Sequence, residues 1–99
     1  MSEDDYPYEA INDTCKFDAT KIVTNISGYV HVKAADEEAL RVAVGTVGPI
    51  SVAVDAHGLQ LYKEGIYNDD VHCGNSTWDL NHGILVVGYG EEKARSTGK

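Results

Sequence analysis

The run Leu80-Asn81-His82-Gly83-Ile84-Leu85-Val86-Val87-Gly88-Tyr89-Gly90 constrains this chain more than any other segment. Ile84 to Val87 is apolar on both faces of an extended backbone, so a strand here needs packing on both sides. The other elements supply few neighbours, so the core expected of the chain by itself is marginal. A titratable ring, His82, stands at the mouth of that strand. A histidine so placed serves a nucleophile when it is functional, and the chain offers no convincing one.

Periodicity places the remaining elements. Tyr6-Pro7-Tyr8 opens an extended stretch, because proline pushes its predecessor away from helical dihedrals. From there to Asn25 the pattern is polar and irregular, as in a surface strap. Gly28 to Lys33 alternates Val30 and Val32 against Tyr29, His31 and Lys33, which predicts a strand. Asp36 is a good N-cap, and Glu37 and Glu38 suit the positive end of a helix dipole. Ala39, Leu40, Ala43, Val44 and Val47 then recur on one helical face, Gly45 weakens the helix, and Gly48-Pro49 ends it. Ile50 to Asp55 alternates Ile50, Val52 and Val54 against small Ser51 and Ala53. Leu59 to Tyr67 reads as a helical turn and a short extended piece, Asn68 to Asp79 as a polar loop, and Ile84 to Tyr89 as the last strand.

Bulk properties exclude several classes. The 99 residues suffice for one small domain, and a formal net charge of −8 argues against nucleic-acid or anionic-membrane partners. No apolar run approaches the roughly 20 residues that span a bilayer. Met1-Ser2-Glu3-Asp4-Asp5 has neither a positive n-region nor an apolar h-region, so no signal peptide is expected in this chain. Yet Asn12, Asn25 and Asn75 each stand in an N-x-S/T sequon, which fits a piece of a secreted precursor better than a cytosolic protein. Cys15 and Cys73 could bond to each other, with about 4 kcal/mol of chain-entropy stabilisation. They could equally bind a metal or remain unrelated thiols.

Each candidate site has a plainer alternative. An unperturbed imidazole titrates near neutrality, which suits a histidine at position 82 to act as acid, base or ion-pair partner; otherwise it is a strand-end ring bonded to backbone. Gly83 beside it leaves room for a substrate backbone. A zinc site from His57, His72, Cys73 and His82 lacks paired ligand spacing, and no metal is assigned. Gly88 and Gly90 form only a scrap of a nucleotide loop, without the full glycine pattern. Asp69-Asp70 and Glu91-Glu92 read as solvated faces.

The order of segments resembles one family. Asp5-Tyr6-Pro7-Tyr8-Glu9-Ala10, Thr14-Cys15-Lys16, Val47 to Val54, Tyr62-Lys63-Glu64-Gly65-Ile66-Tyr67 and Asn81 to Gly90 are similar to segments of papain-like cysteine peptidases of the cathepsin L type. The resemblance runs from Ser2 to about Glu91. It implies an α+β fold: part of the papain-like proteinase fold, an antiparallel β-barrel-like right-hand domain with one main helix. The N-terminal helical domain and the last strands of that fold have no counterpart here. The implied organisation is an extended strap at 1–25, an incomplete β-rich domain at 26–90 and a mobile tail at 91–99.

By the same resemblance His82 matches the catalytic histidine, whose imidazolium lowers the pKa of a partner thiol well below its ordinary value. The thiolate attacks a peptide carbonyl, and the histidine protonates the leaving amine. Ala53, Leu80 and Gly83 match positions lining the S2 pocket, Asn81 a position whose carbonyl faces substrate, and Ala56 the start of the primed side. Small residues along 50–55 thereby leave volume for an apolar substrate group. No cofactor is implied. The partners implied are a peptide or protein substrate of the full-length parent and a companion chain carrying the amino-terminal half. The parent is expected to be lysosomal or secreted.

The departures weigh equally. Nothing here matches the family's Gln-x-Cys-Gly-Ser-Cys-Trp nucleophile segment with its oxyanion glutamine, nor its Asn-Ser-Trp-Gly motif with the orienting asparagine. Cys15 and Cys73 match family cysteines that bond to partners elsewhere, so the resemblance implies no Cys15–Cys73 bond. The loop Gly74 to Leu80 is longer than usual for the type. The reading is therefore a peptidase fragment, inactive alone. The alternative is a non-enzymatic interaction module that pairs through strand 84–87.

Overall fold

The computed structural model of the chain describes residues 1–69, 71–92 and 95–98. They form two compact units, Met1–His31 and Val32–Lys99. The sequence reading puts this boundary a few residues earlier, after Asn25.

The first unit contains one regular element, a 3-10 turn at Ala19–Lys21. Asp18 caps that turn by accepting the Thr20 backbone N–H at 2.9 Å. Upstream, polar groups organise the strap in place of packing. Ser2 donates to Asp5 at 3.0 Å, and the Tyr6 hydroxyl accepts the Lys16 backbone N–H at 2.9 Å. The Lys16 ammonium lies 3.2 Å from Asp13 and 3.5 Å from Glu9, and the hydrogen bond to Asp13 raises its pKa. No side chain of this unit is buried.

In the second unit, α1 spans Glu37–Thr46. Asp36 starts it as the composition demands: its carboxylate accepts the Ala39 N–H at 2.9 Å. Ala39, Leu40, Ala43 and Val44 face inward, and Val44 is the one buried residue among those described. Val47, expected on the same face, is 80% exposed because it caps the helix instead of continuing it. Gly48 then takes φ +127°, a value that side-chain-bearing residues rarely adopt, and turns the chain toward Pro49.

Strands β1 (Ile50–Val54) and β2 (His82–Val86) pair antiparallel, with Ile50 opposite Val86 and Val54 opposite His82. Alternation along β1 is as expected, with Ile50, Val52 and Val54 half-buried and Ser51 and Ala53 exposed. The last strand differs from expectation. It begins at His82 rather than Ile84, because pairing with β1 captures the polar end of the run, and it breaks at Val87-Gly88.

Two further expectations are corrected. Gly28 to Lys33 forms no strand despite its alternation, since no neighbouring backbone pairs with it among the described residues. The segment beyond Gly90, expected to be a mobile tail without an anchor, carries strand pairing: β3 (Tyr89–Glu92) and β4 (Arg95–Gly98) form an antiparallel pair. Backbone hydrogen bonds supply this pairing and need no apolar side chains. Lys93, Ala94 and Lys99 of that tail lie outside the described residues.

Little of the chain is covered. Its accessible surface is 8984 Å², whereas a folded monomer of this size exposes about 5500 Å². Ile84, Leu85 and Val87 are 41%, 54% and 60% exposed, so the expected demand for neighbours around this run is unmet by the described residues.

Tyr89 explains the glycine inside α1. A Cβ at position 45 meets the Tyr89 hydroxyl at 2.8 Å, and the Arg41 guanidinium lies 5.6 Å from the same ring's centre. Glycine thus gives up helix propensity to admit an aromatic ring. Gly45→Ala is expected to stabilise the chain by about 1 kcal/mol in a Tyr89→Phe background, and by less in the native background. Urea denaturation followed by circular dichroism checks this, and equal gains in both backgrounds would refute the contact.

Candidate active site

The β1–β2 ladder decides which candidate residues meet. Ala53 stands directly opposite Gly83, and Val54 opposite His82. Opposed residues of an antiparallel pair share a face, and successive residues alternate. Ala53 and Gly83 therefore share one face, with almost no side-chain volume between them. His82 belongs by alternation to the other face, with Val54, at the last rung. It is exposed. The ring is thus available to solvent rather than packed inward.

Asn81 joins the two strand ends. Its backbone N–H donates to the Val54 carbonyl at 3.1 Å, and its Oδ1 accepts the Ala56 N–H at 2.9 Å. Ala56 sits at φ −93° and ψ 7°, leading into a 3-10 turn at His57–Leu61. Its backbone thus lies in the sparsely allowed region between helix and strand that many active-site residues occupy. Leu80 closes a second 3-10 turn, Thr77–Asp79, and is 44% exposed. That turn carries a capping box: Ser76 Oγ accepts the Trp78 N–H at 3.1 Å, and Asp79 accepts the Ser76 N–H at 3.0 Å. The structure brings Ala53 to Gly83 and Ala56 to Asn81, with His82 and Leu80 flanking Asn81 along the chain.

Two aspartates organise the surrounding loops, and sequence reasoning overlooked both. Asp55 accepts the His57 N–H at 3.0 Å and the Gly74 N–H at 2.8 Å. The Gly74 bond is the leading reason that its carboxyl titrates below the usual carboxylate range. Asp69, expected on a solvated face, accepts the Val71 N–H at 3.1 Å and the His72 N–H at 3.0 Å. It also accepts the Tyr67 hydroxyl at 3.2 Å and lies 2.9 Å from His72 Nδ1. The His72 backbone bond leads in lowering its pKa. An aspartate followed two and three residues later by backbone donors is an Asx-turn signature, the signal that could have found it. Asp70, the other half of that expected face, lies outside the described residues.

Cys15 and Cys73 are free and exposed. Cys73 donates its N–H to the Asp69 carbonyl at 3.2 Å, and its Sγ lies 3.7 Å from the Gly74 carbonyl oxygen. Among the described residues no group of three or more His, Cys, Asp or Glu is gathered closely enough to hold a metal ion. The set His57, His72, Cys73 and His82 is therefore not assembled.

Chemically, the site offers an exposed imidazole on one face of the ladder and, on the other, a rung filled only by the Ala53 methyl, on a hydrogen-bonded frame. It holds an acid–base group and space for an extended backbone. Within the described residues no thiol is bonded to that ring.

Comparison with known proteins bears on the family of the chain. The model of the papain family cysteine proteases matches residues 1–98. Cathepsin L of Sarcophaga peregrina is 44% identical over 95 residues, which are 94% of this chain and 27% of that protein. Procathepsin L of Rattus norvegicus is 52% identical over 93 residues, covering 92% of this chain and 27% of that protein. The solved structure of digestive procathepsin L 3 from Tenebrio molitor larval midgut superposes with a TM-score of 0.85 at 47% identity, covering 99% of this chain and 32% of that one. The chain thus spans 27% of the length of both curated relatives named here.

The depressed carboxyls make stability depend on pH with a definite sign. Groups whose folded pKa lies below the unfolded value stabilise above the unfolded carboxylate pKa, about 3.9. That contribution is lost as pH falls through the folded pKa. The urea midpoint should therefore be level above about pH 5 and decline on further acidification. Asp69→Asn should lower the plateau and flatten the decline. An acid limb identical to the native one would refute the role given to Asp69.

Proposed function

Because the chain belongs to the papain family of cysteine proteases, we propose that it supplies the acid–base half of a cathepsin L-type endopeptidase cleft. In this reading His82 shares an ion pair with a thiolate carried on another part of the parent protein. Attack by that thiolate on a peptide carbonyl gives an acyl-enzyme, and His82 protonates the departing amine. Ala53, Gly83 and Leu80 line the S2 side, which accepts an apolar P2 residue. Asn81 presents its carbonyl to substrate, and Ala56 opens the primed side. The substrate is a peptide or protein.

The observation that carries the reading is the register Ala53 to Gly83 beside an exposed His82. The small rung and the proton carrier stand on adjacent residues at the strand ends, on opposite faces of the ladder, so in this reading the peptide passes along those ends. By itself the chain is inactive in this proposal, since neither Cys15 nor Cys73 has the sequence surroundings of the nucleophile. Both thiols instead pair with cysteines of the remainder of the parent. That parent is lysosomal or secreted, with Asn12, Asn25 and Asn75 available to glycan transfer. All three are exposed.

A second reading draws on the bare strand run. β2 has only β1 as a partner among the described residues, and the exposed segment 84–87 is suited to pairing with another chain, whether a companion fragment or a second copy.

Assay of a fluorogenic peptide tests the first reading. No turnover is expected from the chain alone. Turnover is expected on mixing with a polypeptide that carries the nucleophile-bearing half, and His82→Ala should reduce it by about 10³-fold or more. Turnover by the chain alone that Cys15→Ser or Cys73→Ser abolishes would overturn the proposal. Mass measured in solution at increasing concentration addresses the second reading, and a constant monomer counts against it.

A further inference from the structure

The carboxylate of Asp55 is the point at which the loops beside His82 converge. It follows Val54, the β1 residue opposite His82. Its oxygens accept the Gly74 N–H at 2.8 Å, the His57 N–H at 3.0 Å and the Asn81 side-chain amide at 3.5 Å. The orientation of that amide is dictated by its neighbours. The Ala56 N–H, 2.9 Å from Asn81 Oδ1, can only donate, so the amide oxygen faces Ala56 and the nitrogen faces the carboxylate. With its backbone N–H on the Val54 carbonyl, Asn81 is held at three points.

We infer that Asp55 is a positioning residue for His82, fixing through the Asn81 side chain the backbone from which the imidazole projects. What His82 does rests on the peptidase reading; where it stands does not. His82 occupies the terminal rung of the ladder, where pairing alone frays. Asp55 and Asn81 brace that rung from outside the sheet. Oδ1 accepts both the His57 N–H and the Asn81 amide, and Oδ2 accepts the Gly74 N–H, so Asp55→Ala removes the acceptor of all three donors. Small displacements of an acid–base group cost a proton transfer its geometry, which gives the brace its functional weight.

The experiment is nuclear magnetic resonance on the full chain carrying Asp55→Ala, Asn81→Ala or both. In Asp55→Ala the Gly74 amide should exchange about tenfold faster or more, as expected when a charge-assisted bond is lost. Exchange at the inner rungs of β1 and β2 should stay unchanged, and the His82 ring resonances should move. Asn81→Ala should move the same resonances, and the double variant should move them no further. Ring signals indifferent to both substitutions, or displacements that add in the double variant, would overturn the inference. Should Asp55→Ala unfold the chain, Asp55→Glu decides in its place, because it keeps the charge and displaces the accepting oxygens by one methylene. Absence of turnover in the reconstituted enzyme would sink the peptidase reading and leave the ring displacement standing. An unmoved ring with turnover intact would sink only the role of Asp55.

Discussion

Pairing of β1 with β2 is the constraint on which the second unit depends. The ladder joins segments about thirty residues apart and sets every opposition at the site, Ala53 to Gly83 and Val54 to His82 included. A slip of one residue would exchange the faces of one strand and put a bulky group opposite Ala53 in place of Gly83. The ladder is short, and two strands alone are marginal in water. Val44 is the single buried residue among those described, so little apolar packing supports this sheet.

Where burial is scarce, polar groups do the organising. Asp36 starts α1, Asp18 starts the turn at Ala19–Lys21, and Ser76 with Asp79 closes the turn before Leu80. Asp55 and Asp69 gather backbone donors from the loops between β1 and β2. The acidic balance of the chain, 16 acidic against 8 basic residues, is in part this structural use of aspartate. These bonds are local or bridge short loops, so they define shape without requiring a large core. The cost is sensitivity to acid at Asp18, Asp55 and Asp69, whose hydrogen bonds favour the ionised carboxylate and lower its pKa.

Much of the architecture was legible in advance for a physical reason. Helix α1 combined an N-cap, early acids and an apolar stripe, three signals that agree. β1 alternated cleanly, and the Asn81 to Gly90 run resembled a family whose members share its fold, as the superposition on the Tenebrio molitor structure shows. Gly28 to Lys33 misled because alternation describes a strand's surface and not its partner. The pairing beyond Gly90 was missed because backbone carries it. Asp69 was missed because an acidic pair looks the same whether it meets water or amides. Gly45 looked like a flaw in a helix until Tyr89 was seen beside it.

The sequence by itself determined local conformation and chemical kind: which segments bend, cap or extend, and that a histidine stands at the mouth of an apolar strand. Those follow from neighbouring residues along the chain, and motif order adds the family. Only the tertiary structure decided that Ala53 faces Gly83, that His82 is exposed on the terminal rung, and that Asp55 reaches Asn81, Gly74 and His57. Register and convergence are relations between segments distant in sequence. No local preference encodes them; the ladder and the loops must close before they exist.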